Sequence, residues 1–220
     1  MKQILKINIT KKDIVVPILY AIFAGITTVF IVILAKSFAE RGDTLKVENN
    51  YSLNIVETRY KLNKEVNDWF KRKAPNTILT PSVIIEECIN YDIDIVLVLS
   101  QGLLESHYGT VGLAKKTNQV FNVGAYSGLL FSNIHSDYKF KHPDQSVKPY
   151  LKLLTDRYLV NKCEADLFNK FVDKHNKRYA STENYEKNLR LIRDEILGTT
   201  KIDSLYQSYR KLIIEHRLKI

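Results

Sequence analysis

Cysteine is scarce in this chain, which limits the chemistry it can carry out. The 220 residues include only Cys88 and Cys163, which lie far apart in sequence and lack the spacing of a zinc site. Cys88 falls in the apolar pattern IIEECI and is predicted to be a packed core thiol, although pairing of the two thiols in an oxidising compartment stays open. No G-x-S-x-G sequence occurs, and neither cysteine has a neighbouring histidine motif, so the patterns of serine and cysteine nucleophiles are absent.

Patterns for metal and nucleic-acid binding are also missing. Of the five histidines, His135 with Asp137 and His142 come nearest to a metal set, but none are paired on a helix, so we expect no metal and no cofactor. The net charge is +9, yet no helix-turn-helix, finger or aromatic–basic platform accompanies it, so no nucleic-acid partner is expected. The positive charge fits attraction to an anionic cell wall or lipid surface, through steering rather than specific contacts.

Charge is absent from one long run near the N-terminus. Residues 14–35 are uncharged and could cross about 30 Å of hydrocarbon as a helix, so we assign a membrane-spanning helix to residues 13–36. The run exceeds the ~7–15 apolar residues of a signal peptide, and no clear small-x-small site comes after it, which predicts an uncleaved anchor. Lysines precede the span, so the N-terminus is expected inside and the rest of the chain periplasmic or extracellular.

The chain divides by composition into segments around this span. Residues 1–12 form a short cytoplasmic tail, and residues 37–74 form a linker followed by an amphipathic helix. Residues 75–200 are predicted to fold as one domain, and residues 201–220 as a C-terminal helix. Trp69, the only tryptophan, is interpreted as a packing anchor rather than a sugar platform.

Helical patterns dominate the domain, which predicts a mainly α (α+β) fold. Thr80 followed by Pro81 is a strong helix start, and the helix should run to about residue 90. Further helices are predicted from residue 95 through the sequence IVLVLSQGLLESHYG, over 146–160, 164–175 and 183–197, and over 202–218. Tyr138 and Phe140 alternate with lysines, which predicts a short β-hairpin, and Asp144 is predicted to cap the next helix.

Glu105 lies near the end of the most apolar of these helices. Most glutamates on helices are solvated and have no chemical role, so the position alone does not establish one. In a mostly apolar setting, however, a carboxyl group keeps its proton towards neutral pH because burial disfavours the charged form. A protonated carboxyl at the edge of a cleft is what glycoside cleavage requires of its general acid.

Several segments resemble, in order, the signature of family 73 glycoside hydrolases and the Bax-like glucosaminidases. The family patterns are Q-x-x-L-E-S-G-W-G, a short helix containing L-A, N-N-L-F-G, S-[IV]-x-x-Y-x-x-L-L and Y-A-[TS]-x-x-x-Y. The matching segments are QGLLESHYG at 101–109, LA at 113–114, NQVF at 118–121, SVKPYLKLL at 146–154, and RYAS at 178–181 followed by Tyr185. The resemblance covers roughly residues 75–197 and identifies this region as a mannosyl-glycoprotein endo-β-N-acetylglucosaminidase-like domain.

The resemblance implies a lysozyme-like domain, in which a helical lobe and a small β-hairpin lobe flank a groove. It implies that Glu105 is the general acid and that a second carboxylate lies in the hairpin lobe. Asp137 is preferred for that role because Asp144 already has a structural one as a cap. If neither acts, the N-acetyl group of the substrate could serve as the nucleophile, so retaining, inverting and substrate-assisted mechanisms all stay open.

Further cleft residues are implied by the same resemblance. Tyr179 matches the family tyrosine near the scissile bond, where its hydroxyl would orient water or the acetamido group. Tyr108, Asn118 and Phe121 are predicted substrate-binding residues, because aromatic faces pack on sugar rings and an amide can bond to hydroxyl groups. Gln101, one turn before Glu105, is also assigned to substrate binding, with simple packing as its alternative.

The function implied is a membrane-anchored peptidoglycan hydrolase that cleaves β-1,4 bonds at N-acetylglucosamine, in wall remodelling or in virus entry from a virion membrane. Its partners would be glycan strands and, through residues 13–36, a lipid bilayer; the oligomeric state stays open. His107–Tyr108 stands where the family has G-W, which bears on substrate preference. The alternatives are a lytic transglycosylase or muramidase of the same fold, and a non-catalytic wall-binding or assembly protein.

Overall fold

The structure, a computed structural model, describes Lys36, residues 52–123 and residues 139–218. The predicted membrane span lies outside these residues apart from Lys36, and so does Asp137. Among the helices that the structure describes, none combines the length and apolar character needed to cross a bilayer. Contacts divide the chain into Met1–Leu53 and Asn54–Ile220, and the second unit is described below.

The described residues are mainly helical, which confirms that part of the predicted fold class. The first helix, α1, covers residues 52–73. The others are α2 Pro81–Tyr91, α3 Ile95–Ser106, α4 Ala114–Thr117, α5 Val147–Leu153, α6 Glu164–Asn169, α7 Tyr185–Thr199 and α8 Ile202–Arg217. Within these ranges there is no strand, only a single bridge between Val172 and Arg178. Most of the predicted hairpin lies outside the described residues, and residues 139–142 are not in a strand.

Two predicted helices differ from the observed ones. The helix predicted over 146–160 is composite, with a 3₁₀ turn at Pro143–Ser146 before α5 and a π-helical turn at Leu154–Tyr158 after it. The helix predicted over 164–175 ends at Asn169. Beyond it, Asp173 Oδ1 accepts hydrogen bonds from the backbone nitrogens of His175 and Lys177, at 2.8 and 2.9 Å. This side-chain turn takes the place of helical hydrogen bonding over residues 173–177, which are not helical.

Asp144 lies inside the 3₁₀ turn but does not cap the next helix, contrary to the sequence prediction. Its two carboxylate oxygens accept hydrogen bonds from Thr80, one from the backbone nitrogen at 2.8 Å and one from Oγ1 at 2.7 Å. Thr80 is the N-cap of α2, and its hydroxyl makes no cap bond of its own. Asp144 therefore fixes the start of α2 from across the fold, an interaction that local sequence does not reveal.

α3 is the central helix of the domain, as its sequence predicts. Every residue from Ile95 to Leu103 is buried, and among helices α2 to α8 it is α7 against which α3 packs most extensively. Its start is fixed by Asp94, whose side chain accepts a hydrogen bond from the backbone nitrogen of Val96 at 2.9 Å. A helix that is apolar on all sides belongs in the middle of a core, and α3 thereby becomes a rigid support for the residues at its C-terminal end.

α8 and the part of α1 from residue 54 onwards belong to the same compact unit as the helices between them. Trp69 on α1 is fully buried, which confirms its interpretation as a packing anchor. Its indole Nε1 donates to the hydroxyl of Tyr108 at 2.6 Å, and that hydroxyl donates to the carbonyl of Leu99 at 2.8 Å. Cys88 is also fully buried in the core, while Cys163 is exposed, and both are free thiols.

Candidate functional site

The site is built at the C-terminal end of α3, where the chain turns sharply. His107 and Tyr108 have φ of 47° and 54°, and Gly109 comes next with φ of 84°. The backbone nitrogens of His107 and Tyr108 bond back to the carbonyls of Leu103 and Gly102, both at 3.0 Å, which closes the helix. The turn leaves Glu105 on the last turn of a helix that is otherwise locked into the core.

Gly102 is required for the packing of this turn. A Cβ at this position would lie 3.0 Å from the ring of Tyr108, which folds back over the helix. That ring is 1% exposed and contacts Phe70 with a centroid separation of 4.4 Å. The close approach of backbone and ring needs a residue without a side chain.

The loop that faces Glu105 is held at successive residues. The carbonyl of Val120 accepts a bond from Ser106 Oγ at 2.5 Å, and the nitrogen of Val120 donates to Ser146 Oγ at 3.2 Å. The carbonyl of Phe121 accepts a bond from the hydroxyl of Tyr179 at 2.5 Å. These bonds fix the backbone immediately before Asn122.

Two side chains hold the carboxyl group of Glu105. The hydroxyl of Tyr185, at the start of α7, donates to Oε1 at 2.6 Å. Asn122 Nδ2 donates to the backbone carbonyl of Glu105 at 2.6 Å and lies 3.4 Å from Oε2. Glu105 keeps part of its surface exposed, and among the described residues its Oε2 has only the longer of the two carboxyl contacts.

Burial raises the pKa of the Glu105 carboxyl above its ordinary value. The hydrogen bonds from Tyr185 and Asn122 favour the ionised form and offset part of this rise. No charged side chain among the described residues contributes to the shift. The group therefore holds its proton to higher pH than a solvated glutamate, as its place in an apolar helix predicts.

Behind Glu105 lies a buried chain of uncharged hydrogen-bonding groups. Gln101 Nε2 donates to the hydroxyl of Tyr185 at 3.0 Å. Its Oε1 accepts a hydrogen bond from the hydroxyl of Tyr150 on α5. Gln101 has no exposed surface, so it contacts protein groups alone.

The predicted subsite residues lie in different environments. Phe121 is fully buried, and its ring stacks on that of Tyr150 with centroids 3.7 Å apart. Tyr108 is likewise covered, so neither ring presents a face to solvent in this structure. Asn118 is partly buried and has φ of 55°, and its Nδ2 donates to the carbonyl of Phe140 at 2.9 Å.

Among the predicted catalytic residues, Tyr179 lies beside Glu105 and Asp137 lies outside the described residues. The ring of Tyr179 is partly buried and packs on Phe171 and Tyr185, at 5.0 and 6.1 Å between centroids. Burial raises the pKa of its hydroxyl well above the ordinary value, and the nearby carboxyl of Glu105 adds to the rise. Tyr179 is thus neutral through the range in which Glu105 titrates.

Sequence reasoning did not assign a role to Tyr185 or Asn122, the two residues that contact the carboxyl of Glu105. In the sequence, Tyr185 is marked only as the last residue of the Y-A-S-x-x-x-Y element. Asn122 stands where the family pattern has glycine, so the pattern gives it no role. The sequence did indicate that Gln101 lies close to Glu105, because residues four apart share one helix face.

No set of metal ligands appears in the described part of the chain, where no three His, Cys, Asp or Glu side chains could hold an ion together. His142 Nδ1 instead accepts a bond from the backbone nitrogen of Asp144 at 3.3 Å. His135 lies outside the described residues together with Asp137.

The raised pKa of Glu105 makes a prediction about stability. Between the unfolded and the folded pKa, the folded chain binds the proton more tightly, so the free energy of unfolding falls as pH rises through this window. Glu105→Gln has no proton to lose. We expect its melting temperature to exceed that of the parent at about pH 7 and to approach it at about pH 4, just below the unfolded pKa.

Thermal unfolding followed by circular dichroism at the two pH values measures this difference. The matched control is Glu183→Gln, which makes the same substitution at an exposed glutamate and should not show the pH-dependent gain. A difference between Glu105→Gln and the parent that is the same at both pH values would contradict the prediction.

Comparison with known proteins identifies the family. Residues 82–197 match the glucosaminidase family model, described as mannosyl-glycoprotein endo-beta-N-acetylglucosaminidase. Neither a curated protein nor a solved structure matches the chain. The matched region contains Glu105, Asn122 and Tyr185 and spans more than half of the 220 residues, so the protein belongs to the glucosaminidase family, a family of glycoside hydrolases.

Proposed function

We propose that this protein is a peptidoglycan hydrolase that cleaves β-1,4 bonds at N-acetylglucosamine with Glu105 as the general acid. The observation that supports it most directly is the Glu105 carboxyl itself. It is partly buried, its pKa is raised by burial, and its Oε1 is held at 2.6 Å by Tyr185. An acid of this kind remains protonated towards neutral pH, where a solvated glutamate is ionised.

The proposed reaction begins with transfer of the Glu105 proton to the glycosidic oxygen of the departing sugar. The carbon–oxygen bond breaks as the remaining sugar acquires oxocarbenium character, and the Glu105 carboxylate is left behind. The hydrogen bond from Tyr185 strengthens as that negative charge develops, because bonds to an ionised acceptor are the stronger ones. The same tyrosine therefore holds the acid before transfer and stabilises the carboxylate after it.

Tyr179 would act beside this acid as a hydrogen-bond acceptor. Its only hydroxyl hydrogen is already donated to the carbonyl of Phe121, at 2.5 Å. The lone pairs of its oxygen remain for a donor such as water or the N–H of an acetamido group. This fits the role of orienting one of those groups near the scissile bond.

Replacement of the acid tests the proposal. Glu105→Gln keeps the shape of the side chain but has no transferable proton, so we expect cell-wall clearing in a zymogram to fall by about 10²–10⁴-fold. The matched control is Glu57→Gln, which makes the same change at an exposed glutamate of α1 and should clear like the parent. Equal clearing by Glu105→Gln and the parent would remove Glu105 from the mechanism.

Analysis of the digested wall separates the enzymatic alternatives. New reducing ends at N-acetylglucosamine support the proposal, whereas ends at N-acetylmuramic acid indicate a muramidase and anhydromuramic ends a lytic transglycosylase. A parent protein that binds wall without releasing any new end would be a non-catalytic wall-binding or assembly protein.

The second carboxylate is proposed to be Asp137, with Asp144 as the alternative. Both oxygens of Asp144 are already used by Thr80, so Asp144→Asn should cost about 1 kcal/mol of stability through one lost hydrogen bond and retain its activity. Asp137→Asn should have the opposite effect, a loss of about 10²-fold or more in activity with an unchanged melting temperature. Paired melting curves and zymograms of the two variants measure this.

Full activity in both variants would instead favour the acetamido group of the substrate as the nucleophile. Inhibition by a thiazoline analogue of N-acetylglucosamine would then be expected, because such a ring resembles the intermediate of that route.

We further propose that residues 13–36 anchor the enzyme in a membrane, with the hydrolase domain outside. The support comes from the sequence, in which residues 14–35 are uncharged and long enough to span a bilayer as a helix. These residues lie outside the part of the chain that the structure describes. In alkaline carbonate extraction, the full-length chain should stay with the membrane fraction, and the same chain without residues 1–36 should not. Release of both into the soluble fraction would contradict the anchor. The host, whether a bacterium or a virus with a membrane-containing virion, does not alter this expectation.

A further inference from the structure

We infer that Gln101 is a positioning residue that fixes the direction of the Tyr185–Glu105 hydrogen bond and so places the transferable proton on Oε2 of Glu105. This inference rests on the proposed function of Glu105 as the acid. It gives Gln101 a role that differs from substrate binding, since the side chain is fully buried and reaches a ligand only through Tyr185 and Glu105.

The orientation of the Gln101 amide is set from the far side. A tyrosine hydroxyl has one hydrogen, and the hydroxyl of Tyr150 gives its hydrogen to Gln101 Oε1. The Tyr150 ring cannot turn away, because it is buried and stacked on Phe121 with an interplanar angle of 8°. With its oxygen engaged there, the amide must present its NH₂ group to Tyr185.

The amide in turn sets the direction of the next bond. Gln101 Nε2 donates to the oxygen of Tyr185 at 3.0 Å, which occupies one lone pair of that hydroxyl. The single hydrogen of Tyr185 is then directed to Glu105 Oε1 at 2.6 Å. The sequence of donors runs in one direction, from Tyr150 through Gln101 and Tyr185 to Glu105.

This direction distinguishes the two oxygens of the acid. Oε1 always accepts a bond from Tyr185, so in the protonated form it acts as the carbonyl oxygen, which is the better acceptor. The proton is therefore carried by Oε2, to which the described residues offer only the 3.4 Å approach of Asn122 Nδ2. The proton thus lies on the oxygen that is free to meet a glycosidic oxygen.

The groups that surround this relay do not change charge while Glu105 titrates. The described titratable side chains closest to it are Tyr150 on α5, Tyr179 in the preceding loop and Tyr185 on α7. Cys88 and Tyr158 lie next to these, and burial raises the pKa of each of them as well. Burial raises the pKa of the hydroxyls of Tyr150, Tyr179 and Tyr185 above the ordinary value, and the carboxyl of Glu105 raises them further. The relay is thus neutral, and its direction is independent of pH on the acid side of neutrality.

Two substitutions at Gln101 test the inference in the full-length chain. Gln101→Met keeps the length and loses the polarity, so the hydrogen of Tyr185 is no longer directed. We expect kcat on cell wall to fall about tenfold or more with KM unchanged, since a bond of about 1.4 kcal/mol acts on the acid and not on binding. The carboxyl pKa of Glu105, followed by NMR with labelled glutamate, should rise because Tyr185, without the bond from Gln101, is a weaker donor to the carboxylate.

Gln101→Glu supplies the conservative rescue. Its protonated carboxyl can accept from Tyr150 and donate to Tyr185, so at acidic pH the variant should recover to within about twofold of the parent. Once ionised it accepts from both tyrosines and turns the hydrogen of Tyr185 away from Glu105. Its activity should therefore fall at lower pH than that of the parent, a change in the pH profile that loss of packing alone would not produce.

The control for general destabilisation is Tyr206→Phe. This buried tyrosine donates to the carbonyl of Ile93 at 2.7 Å, at the opposite end of α3 from Glu105. Its removal should lower the melting temperature without changing the Glu105 titration or the pH profile. If Gln101→Met fails to fold, the pH profile of Gln101→Glu still decides the question.

The results separate this inference from the proposed function. A parent without hydrolytic activity would refute the function, while the NMR titration would still show whether Gln101 controls Glu105. An unchanged Glu105 titration in folded Gln101→Met, or a Gln101→Glu pH profile identical to that of the parent, would overturn the positioning role.

Discussion

The hydrogen bond between Tyr185 and Glu105 is the interaction on which the site depends. It crosses the interface between α3 and α7, the most extensive contact among helices α2 to α8, and it places the carboxyl group at the edge of that interface. Burying a carboxyl costs free energy unless it is hydrogen-bonded, and the cost falls on the ionised form above all. Within the described residues, this cost is offset by neutral tyrosine and amide groups rather than by a cation. A cation would have lowered the pKa of Glu105 and removed the property that makes it useful as an acid.

The backbone around the acid is arranged by the residue next to it. Ser106 Oγ accepts a bond from the nitrogen of Gly109 at 2.7 Å and donates to the carbonyl of Val120 at 2.5 Å. One hydroxyl thus closes the turn after α3 and also attaches the loop that carries Asn122. In the Glu-Ser pair of the motif, Glu105 therefore supplies the acid and Ser106 fixes the backbone around it. The loop it attaches supplies the second side chain, Asn122, that contacts Glu105.

Periodicity and local chemistry account for the features that the sequence predicted correctly. The helical class, the central position of α3, the start of α2 at Pro81 and the anchoring role of Trp69 all agree with the structure. The raised pKa of Glu105 was also predictable, because an apolar helix implies a desolvated carboxyl. These features depend on residues close together in the chain or on the average burial of an apolar pattern.

Long-range partners account for the features that the sequence did not predict. The sequence alone does not show whether the ring of an aromatic residue in a motif faces a groove or the core. Phe121 is buried because Tyr150, 29 positions later, stacks on it. Asp144 has the pattern of a local cap, but its oxygens bond to Thr80, 64 residues earlier in the chain. Gln101 has the right spacing to meet Glu105, yet its partners come from α5 and α7. In each case the decisive contact joins elements whose approach only the folded chain defines.

The departure from the family pattern after Glu-Ser has a physical account of its own. The family has glycine where this chain has His107, and the structure places that residue in the left-handed region, with φ of 47°. A residue with a Cβ is strained there by about 1 kcal/mol relative to glycine. The next residue, Tyr108, replaces the family tryptophan, and its hydroxyl joins Trp69 Nε1 to the carbonyl of Leu99. A tryptophan in place of Tyr108 would offer no acceptor to the indole N–H of Trp69. The strained residue His107 is thus followed directly by a tyrosine that makes a buried bridge. Because that bridge ends on α3 only six residues before Glu105, the substitution changes how the acid's helix is supported and leaves the acid and its partners in place.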